Sequence, residues 1–137
     1  MDNDNLFVYG TLMRGFANHD KYLGPWVKAV LPARIRGELY HLPEGYPALL
    51  EGSRAVRGEL IVVPGLDRII NAIDDLEDYY GPEGDSVYRR EVMAVEVMET
   101  GNLVDAFVYI FCDRTYAVEK GIRVGYGSWR LFIKKYK

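Results

Sequence analysis

The stretch Tyr88-Arg89-Arg90-Glu91-Val92-Met93-Ala94-Val95-Glu96-Val97-Met98, then Thr100-Gly101-Asn102, then Leu103-Val104-Asp105-Ala106-Phe107-Val108-Tyr109-Ile110-Phe111 reads as strand, hairpin turn and strand. Both flanks are rich in Val, Ile, Phe and Tyr, which suit a pleated surface, and the middle carries turn residues. Upstream, Val56 to Val63 predicts another strand, stopped by Pro64-Gly65. Val27 to Leu42 reads as extended structure interrupted near Pro32, with partial polar–apolar alternation from Arg34 to Tyr40. Pro43-Glu44-Gly45-Tyr46-Pro47 is turn chemistry. Leu6-Phe7-Val8-Tyr9 predicts a short buried strand ending at Gly10-Thr11, and Met13 to Leu23 a loop leading into a helical turn that Pro25 closes.

The clearest helix is marked by Leu66, Ile69, Ile70, Ile73, Leu76 and Tyr80 on one stripe, with Gly81-Pro82 as its stop and Asp85-Ser86 in the following loop. Trp129, Phe132, Ile133 and Tyr136 fit a short closing helix. Several strands and one strong helix give an α+β class, and the strand lengths and glycine breaks allow the sheet to curl into a small barrel.

The chain has 137 residues, 49% of them hydrophobic and 27% charged, which predicts one globular domain over 1–137. A net charge of −3 offers nucleic acid no electrostatic attraction, and three lysines, Lys134, Lys135 and Lys137, read as a solvated end. The polar start Met1-Asp2-Asn3-Asp4-Asn5 predicts no secretory leader, and no apolar run reaches the roughly 20 residues of a membrane span. One cysteine, Cys112, excludes an intramolecular disulfide and is expected to be buried and inert at a strand end. A cytoplasmic setting follows as the expectation. His19 and His41 have no metal-ligand spacing and are expected on the surface or in loops. Ser53 and Ser128 have no visible histidine partner for a hydrolase triad. The high count of 11 tyrosines suits a half-wet core or a pocket wall.

Two local features point to chemistry. Glu77 lies four residues after Ile73, beside the apolar stripe, whereas Asp74, Asp75 and Asp78 are expected to point elsewhere into water. Burial would raise the Glu77 pKa towards the range useful for general acid–base work. On the helix pattern alone the bland reading, an edge glutamate snorkelling out or paired with Arg89 or Arg90, stands beside the catalytic one. In Tyr9-Gly10-Thr11-Leu12 a glycine lets backbone approach a ligand, and consecutive N–H groups can form a nest for a carboxylate or oxyanion. No Gly-Lys-Ser/Thr follows, so it is no phosphate loop, and a strand ending in Gly-Thr is by itself usually a plain turn. Asp74 and Glu77, three apart on one helix, would lie side by side rather than flank a sugar as a glycosidase pair must.

Together the pieces resemble the gamma-glutamylcyclotransferase-like family, which includes gamma-glutamylamine cyclotransferases and plant AIG2-like proteins. The matching segments, in the family's order, are Phe7 to Gly15 with Asn18, Gly45-Tyr46-Pro47-Ala48, Val56 to Leu60, Ile73 to Glu77, Tyr88-Arg89-Arg90, Val108-Tyr109 and Gly127-Ser128-Trp129. The loop Gly10-Thr11-Leu12 is similar to the gamma-glutamylamine branch, whereas enzymes for free gamma-glutamyl amino acids look more like Gly-Ser-Asn-Leu. The resemblance implies a small mixed β-barrel flanked by a few helices, with the glutamate facing the glycine loop across a cavity. It also implies a small-molecule gamma-glutamyl substrate, no metal and no organic cofactor.

The reaction so implied is intramolecular aminolysis: the substrate's α-amine attacks its own γ-carbonyl, 5-oxoproline forms, and the amine beyond the γ-carbonyl leaves. Glu77 is the expected acid–base group, with Gly10, Thr11 and Leu12 on the carboxylate or oxyanion and Tyr9 positioning the glutamyl group. Tyr46 and Tyr109 are further candidates for the pocket wall, with core packing as their alternative role. A binding domain that keeps the cavity without turnover is the competing expectation.

Overall fold

A computed structural model describes residues 3–79, 81 and 86–136. Tyr80, Pro82, Asp85, the first two residues and Lys137 lie outside the described residues. The chain runs through β1 (Asn5–Val8), α1 (Ala17–Tyr22), a 3₁₀ turn (Gly24–Trp26), β2 (Ala29–His41) and β3 (Pro47–Val62). A second 3₁₀ turn (Leu66–Arg68), α2 (Ile70–Leu76), β4 (Tyr88–Val97), β5 (Leu103–Phe111), α3 (Arg114–Lys120), β6 (Ile122–Arg123) and α4 (Trp129–Tyr136) follow.

The strands β3-β1-β5-β4-β2 are neighbours in that order, and β2 pairs again with β3, which closes a five-stranded barrel. The pairing of β1 with β5 is parallel, Leu6 against Phe107, and the other barrel pairings are antiparallel, so the barrel is mixed. β6 adds to the end of β2. Alternation does the work expected of it: Ala33, Ile35 and Leu39 of β2 are buried while Arg34 and Arg36 between them are exposed. Leu6, Phe7, Leu49, Val56, Ile61 and Val108 fill the interior with at most 1% exposure each. The hairpin turn after Val97 forms as expected, with Gly101 at φ +74° donating its N–H to Val97.

Several sequence boundaries move. β2 runs through Pro32 without interruption. The Pro32 carbonyl accepts from Met98 N–H on the β4 side, so the missing N–H of the ring also falls on that side and removes nothing from the β3 ladder. β3 begins at Pro47, well before Val56, because the β2–β3 hairpin absorbs a register shift between Gly37 and Glu38. A Cβ at Gly37 would lie 2.8 Å from both Leu49 Cδ1 and the Leu50 carbonyl oxygen, so glycine is required at that kink. The apolar stripe from Leu66 resolves into a 3₁₀ turn and a seven-residue helix that stops at Leu76, ahead of the expected stop at Gly81-Pro82. Helices are also more numerous than the one strong pattern implied, because α1, α3 and α4 are each only six to eight residues long. α4 matches its sequence pattern, burying Trp129 and Phe132.

Candidate active site

The exit of β1, the β2–β3 turn, the end of α2, the start of β4 and the middle of β5 converge on one cavity of about 180 Å³. Its wall contains Tyr9, Gly10, Thr11, Leu12, Tyr46, Glu77 and Tyr109, so the structure brings together every site residue expected from the sequence. Tyr88, Asp78 and Pro47 also line it.

Glu77 caps the C-terminus of α2, its N–H donating to the Ile73 carbonyl at 3.0 Å. Asp78 then turns the chain into the left-handed region, φ +51°. Glu77 is half-buried, and no ion pair to it exists among the described residues. Arg89 pairs instead with Glu51 at 3.0 Å and with Glu91, and Arg90 with Asp74 at 2.7 Å. The bland pairing expected of Glu77 is therefore absent. Loss of water around the carboxyl, followed by the like charge of Asp78, pushes its pKa up to about 7.

The loop after β1 supplies another part of the wall. Met13 N–H donates to the Gly10 carbonyl at 3.1 Å and closes a tight turn. The N–H groups of Gly10, Thr11 and Leu12 find no acceptor among the described residues. Such consecutive donors are the chemistry of an anion nest. A Cβ on Gly10 would sit 2.7 Å from Pro47 Cγ, so a side chain there would collide with the facing turn. Side chains behind the loop hold it in place. Asn18 Nδ2 donates to Thr11 Oγ1 at 2.9 Å, and His19 Nδ1 donates to the Leu12 carbonyl at 2.8 Å. Arg14 N–H donates to Glu59 Oε1 at 2.7 Å, and Arg130 reaches the Arg14 carbonyl at 2.7 Å.

The remaining wall is phenolic. Tyr9 Oη donates to the Tyr109 carbonyl at 2.6 Å, Tyr88 Oη to the Pro47 carbonyl at 2.6 Å, and Tyr109 Oη to Asp74 Oδ1 at 2.5 Å. Burial pushes all three phenols upward, and the charge of Glu77 contributes to each rise. Tyr46 lies at the mouth, 37% exposed, its phenol raised by burial and by Glu44, Asp78 and Glu77.

Four side chains depart from expectation. Asp74 is buried, not solvated, because Tyr109 and Arg90 both donate to it. Its partners are 16 and 35 residues away, so no local pattern signals them. His19 is buried behind the loop rather than on the surface. His41 ends β2, and Trp129 Nε1 donates to its Nδ1 at 3.0 Å. Cys112 is exposed one residue beyond β5. Tyr88 lines the cavity although its sequence position signals only the opening of a strand. Its place directly after the loop and opposite Tyr46-Pro47 is a tertiary fact.

Comparison with known proteins places nearly the whole chain among relatives. The family described as Gamma-glutamyl cyclotransferase, AIG2-like matches residues 6–131. Gamma-L-glutamyl-butirosin B gamma-glutamyl cyclotransferase of Niallia circulans is 36% identical over 128 residues, which cover 93% of this chain and 76% of that protein. The crystal structure of an AIG2-like protein from Mus musculus superposes with a TM-score of 0.64 at 30% identity, over 85% of this chain and 81% of that one. YkqA from Bacillus subtilis gives a TM-score of 0.68 at 22% identity over 98% of this chain and 43% of its own, a likeness of fold alone. With a family match across nearly its whole length and a barrel shared with those structures, the chain belongs to the gamma-glutamyl cyclotransferase, AIG2-like family.

Proposed function

We propose that the protein is a cyclotransferase that releases 5-oxoproline from a gamma-glutamyl amine or gamma-glutamyl amino acid, with Glu77 as its general acid–base. The observation that carries this reading is a carboxyl with no cationic partner among the described residues and a pKa of about 7, lining one small cavity with Gly10, Thr11 and Leu12, whose main-chain N–H groups find no acceptor among the same residues. A cavity of about 180 Å³ is below the usual 300–1,000 Å³ of ligand pockets, so it suits a glutamyl group with the leaving amine reaching outward.

Two proton transfers through Glu77 are required. The α-ammonium first loses a proton to solvent so that its nitrogen can attack the γ-carbonyl carbon, and Glu77 as carboxylate takes the second proton that the attacking nitrogen sheds as it becomes the lactam N–H. When the tetrahedral intermediate collapses, the C–N bond to the leaving amine breaks and Glu77 returns that proton to the departing nitrogen. A pKa of about 7 keeps both the carboxylate and the carboxylic acid populated near physiological pH, so one group can take a proton and return it. Nucleophile and electrophile share one molecule, so the enzyme's remaining task is to hold the folded conformer. The N–H groups of Gly10, Thr11 and Leu12 supply the anchor, for the α-carboxylate or for the oxyanion.

The test is incubation with gamma-glutamyl-alanine, with the gamma-glutamyl-lysine isopeptide and with gamma-glutamyl butirosin B, read as 5-oxoproline formed. Release from one of them names the leaving amine. Release from none, together with saturable protection against melting by the same compounds, replaces the enzyme reading with a binding domain.

A further inference from the structure

The three phenols around Glu77 differ in what their oxygens can still do. A tyrosine hydroxyl has one proton to donate and two lone pairs. The Tyr9 and Tyr88 protons go to carbonyl oxygens, which only accept. The Tyr109 proton goes to the Asp74 carboxylate, which also accepts from Arg90 at 2.7 Å. Arg90 is itself held over the rings of Tyr79 and Phe107, 5.6 and 5.1 Å from their centroids. Each hydroxyl has therefore spent its proton on the protein and can offer the cavity lone pairs alone. The Leu49 N–H is also directed at the Tyr9 oxygen, which leaves Tyr109 and Tyr88 with the most free accepting capacity. Gly10, Thr11 and Leu12, whose N–H groups find no acceptor among the described residues, and Tyr88 and Tyr109, whose oxygens keep lone pairs, therefore line one cavity with Glu77.

We propose that Asp74, clamped by Arg90, is a positioning residue: by taking the only proton of Tyr109 it turns that hydroxyl into a hydrogen-bond acceptor for the ligand's α-ammonium. This deepens the proposed function and rests on the same cavity. An α-amino acid group has an ammonium and a carboxylate on one carbon, which matches a lining that holds both acceptors and donors. Were Asp74 absent, the Tyr109 proton would be free to turn into the cavity and oppose the ammonium. The carboxylate three residues before Glu77 accordingly sets the direction of a hydrogen bond and takes no proton from the substrate.

Binding of L-glutamate and of glutarate, which lacks only the α-amine, separates this from a structural role and needs no turnover. By calorimetry, the native protein is expected to hold L-glutamate at least about tenfold tighter than glutarate, the scale of one hydrogen bond to a charged group. Tyr109→Phe is expected to abolish most of that preference while changing the glutarate Kd less than about twofold. Asp74→Leu should do the same, and combining it with Tyr109→Phe should cause no further loss, because both act through one hydroxyl. A merely structural loosening would instead weaken both ligands together. Retention of the full preference in Tyr109→Phe overturns the proposal, as does a native protein that does not distinguish the two acids. If Asp74→Leu does not fold, the Tyr109→Phe result alone decides. Failure of 5-oxoproline release with the preference intact would remove the cyclotransferase reading and leave the ammonium site standing.

Discussion

At the scale of single residues, Glu77 concentrates the consequences. Glu77→Gln keeps the shape of the side chain but can neither take nor return a proton, so 5-oxoproline release is expected to fall by about 10²-fold or more. Its stability should change in the opposite sense. The folded-state pKa, about 7, lies above the reference value of 4.5, so the folded form binds more protons between those values and stability falls as pH rises through that window. Above pH 7 the full penalty is present, nominally about 3 kcal/mol and less for a side chain that keeps some contact with solvent. Glu77→Gln should therefore melt higher than the native protein at pH 8 and about equally at pH 4, which two thermal melts decide. Asp78 is the neighbouring anion that raises Glu77, so Asp78→Asn should move the acid limb of kcat/KM to lower pH. An acid limb that stays where it was would leave burial as the sole cause.

At the scale of elements, the site depends on how closely strands approach one another. Gly58 on β3 sits against the end of β1, where an added Cβ would lie 2.1 Å from the Val8 carbonyl oxygen. Val8 is followed directly by the cavity loop, so Gly58→Ala must push β1 and that loop away from β3. The expected result is a loss of about 2 kcal/mol or more in denaturant unfolding, with a raised KM. The helix α2 is a second case. Removing the guanidinium by Arg90→Met strands the buried Asp74 carboxylate, at an expected cost of about 2 kcal/mol, reduced from the fully buried case because the Arg90 side chain is 22% exposed. Tyr88→Phe deletes a single buried hydrogen bond to Pro47 and should cost about 1 kcal/mol in urea unfolding.

At the scale of the whole molecule, closure of the barrel decides what can enter. The cavity lies where β1, β4 and β5 meet the β2–β3 turn, and its volume admits a glutamyl group with little to spare. Substrates that differ only in the leaving amine should vary modestly in kcat/KM. On the reading in which the Gly10–Leu12 donors anchor the α-carboxylate, its amidation should weaken binding at least about tenfold. Equal KM values for the acid and the amide would show that those donors serve another group. Among the described residues no helix is long and apolar enough to cross a membrane.

The α+β class, the β4–β5 hairpin, the closing helix and the candidate loop and glutamate were legible because each is written in local spacing: alternation, turn residues, or an apolar stripe. The ordered set of short motifs carried the family resemblance and, with it, the seven residues that now line one cavity. Closure between β2 and β3, the kink at Gly37 and the end of α2 at Leu76 were decided by packing, because strand partners and steric limits lie far apart in the chain. The fate of Asp74 shows the difference most sharply. In sequence it is one of four acids within five positions, indistinguishable from a solvated neighbour. Only the fold supplies Arg90 and Tyr109, and burial beside those two donors turns the same carboxylate from a surface charge into the group that orients the wall of the site.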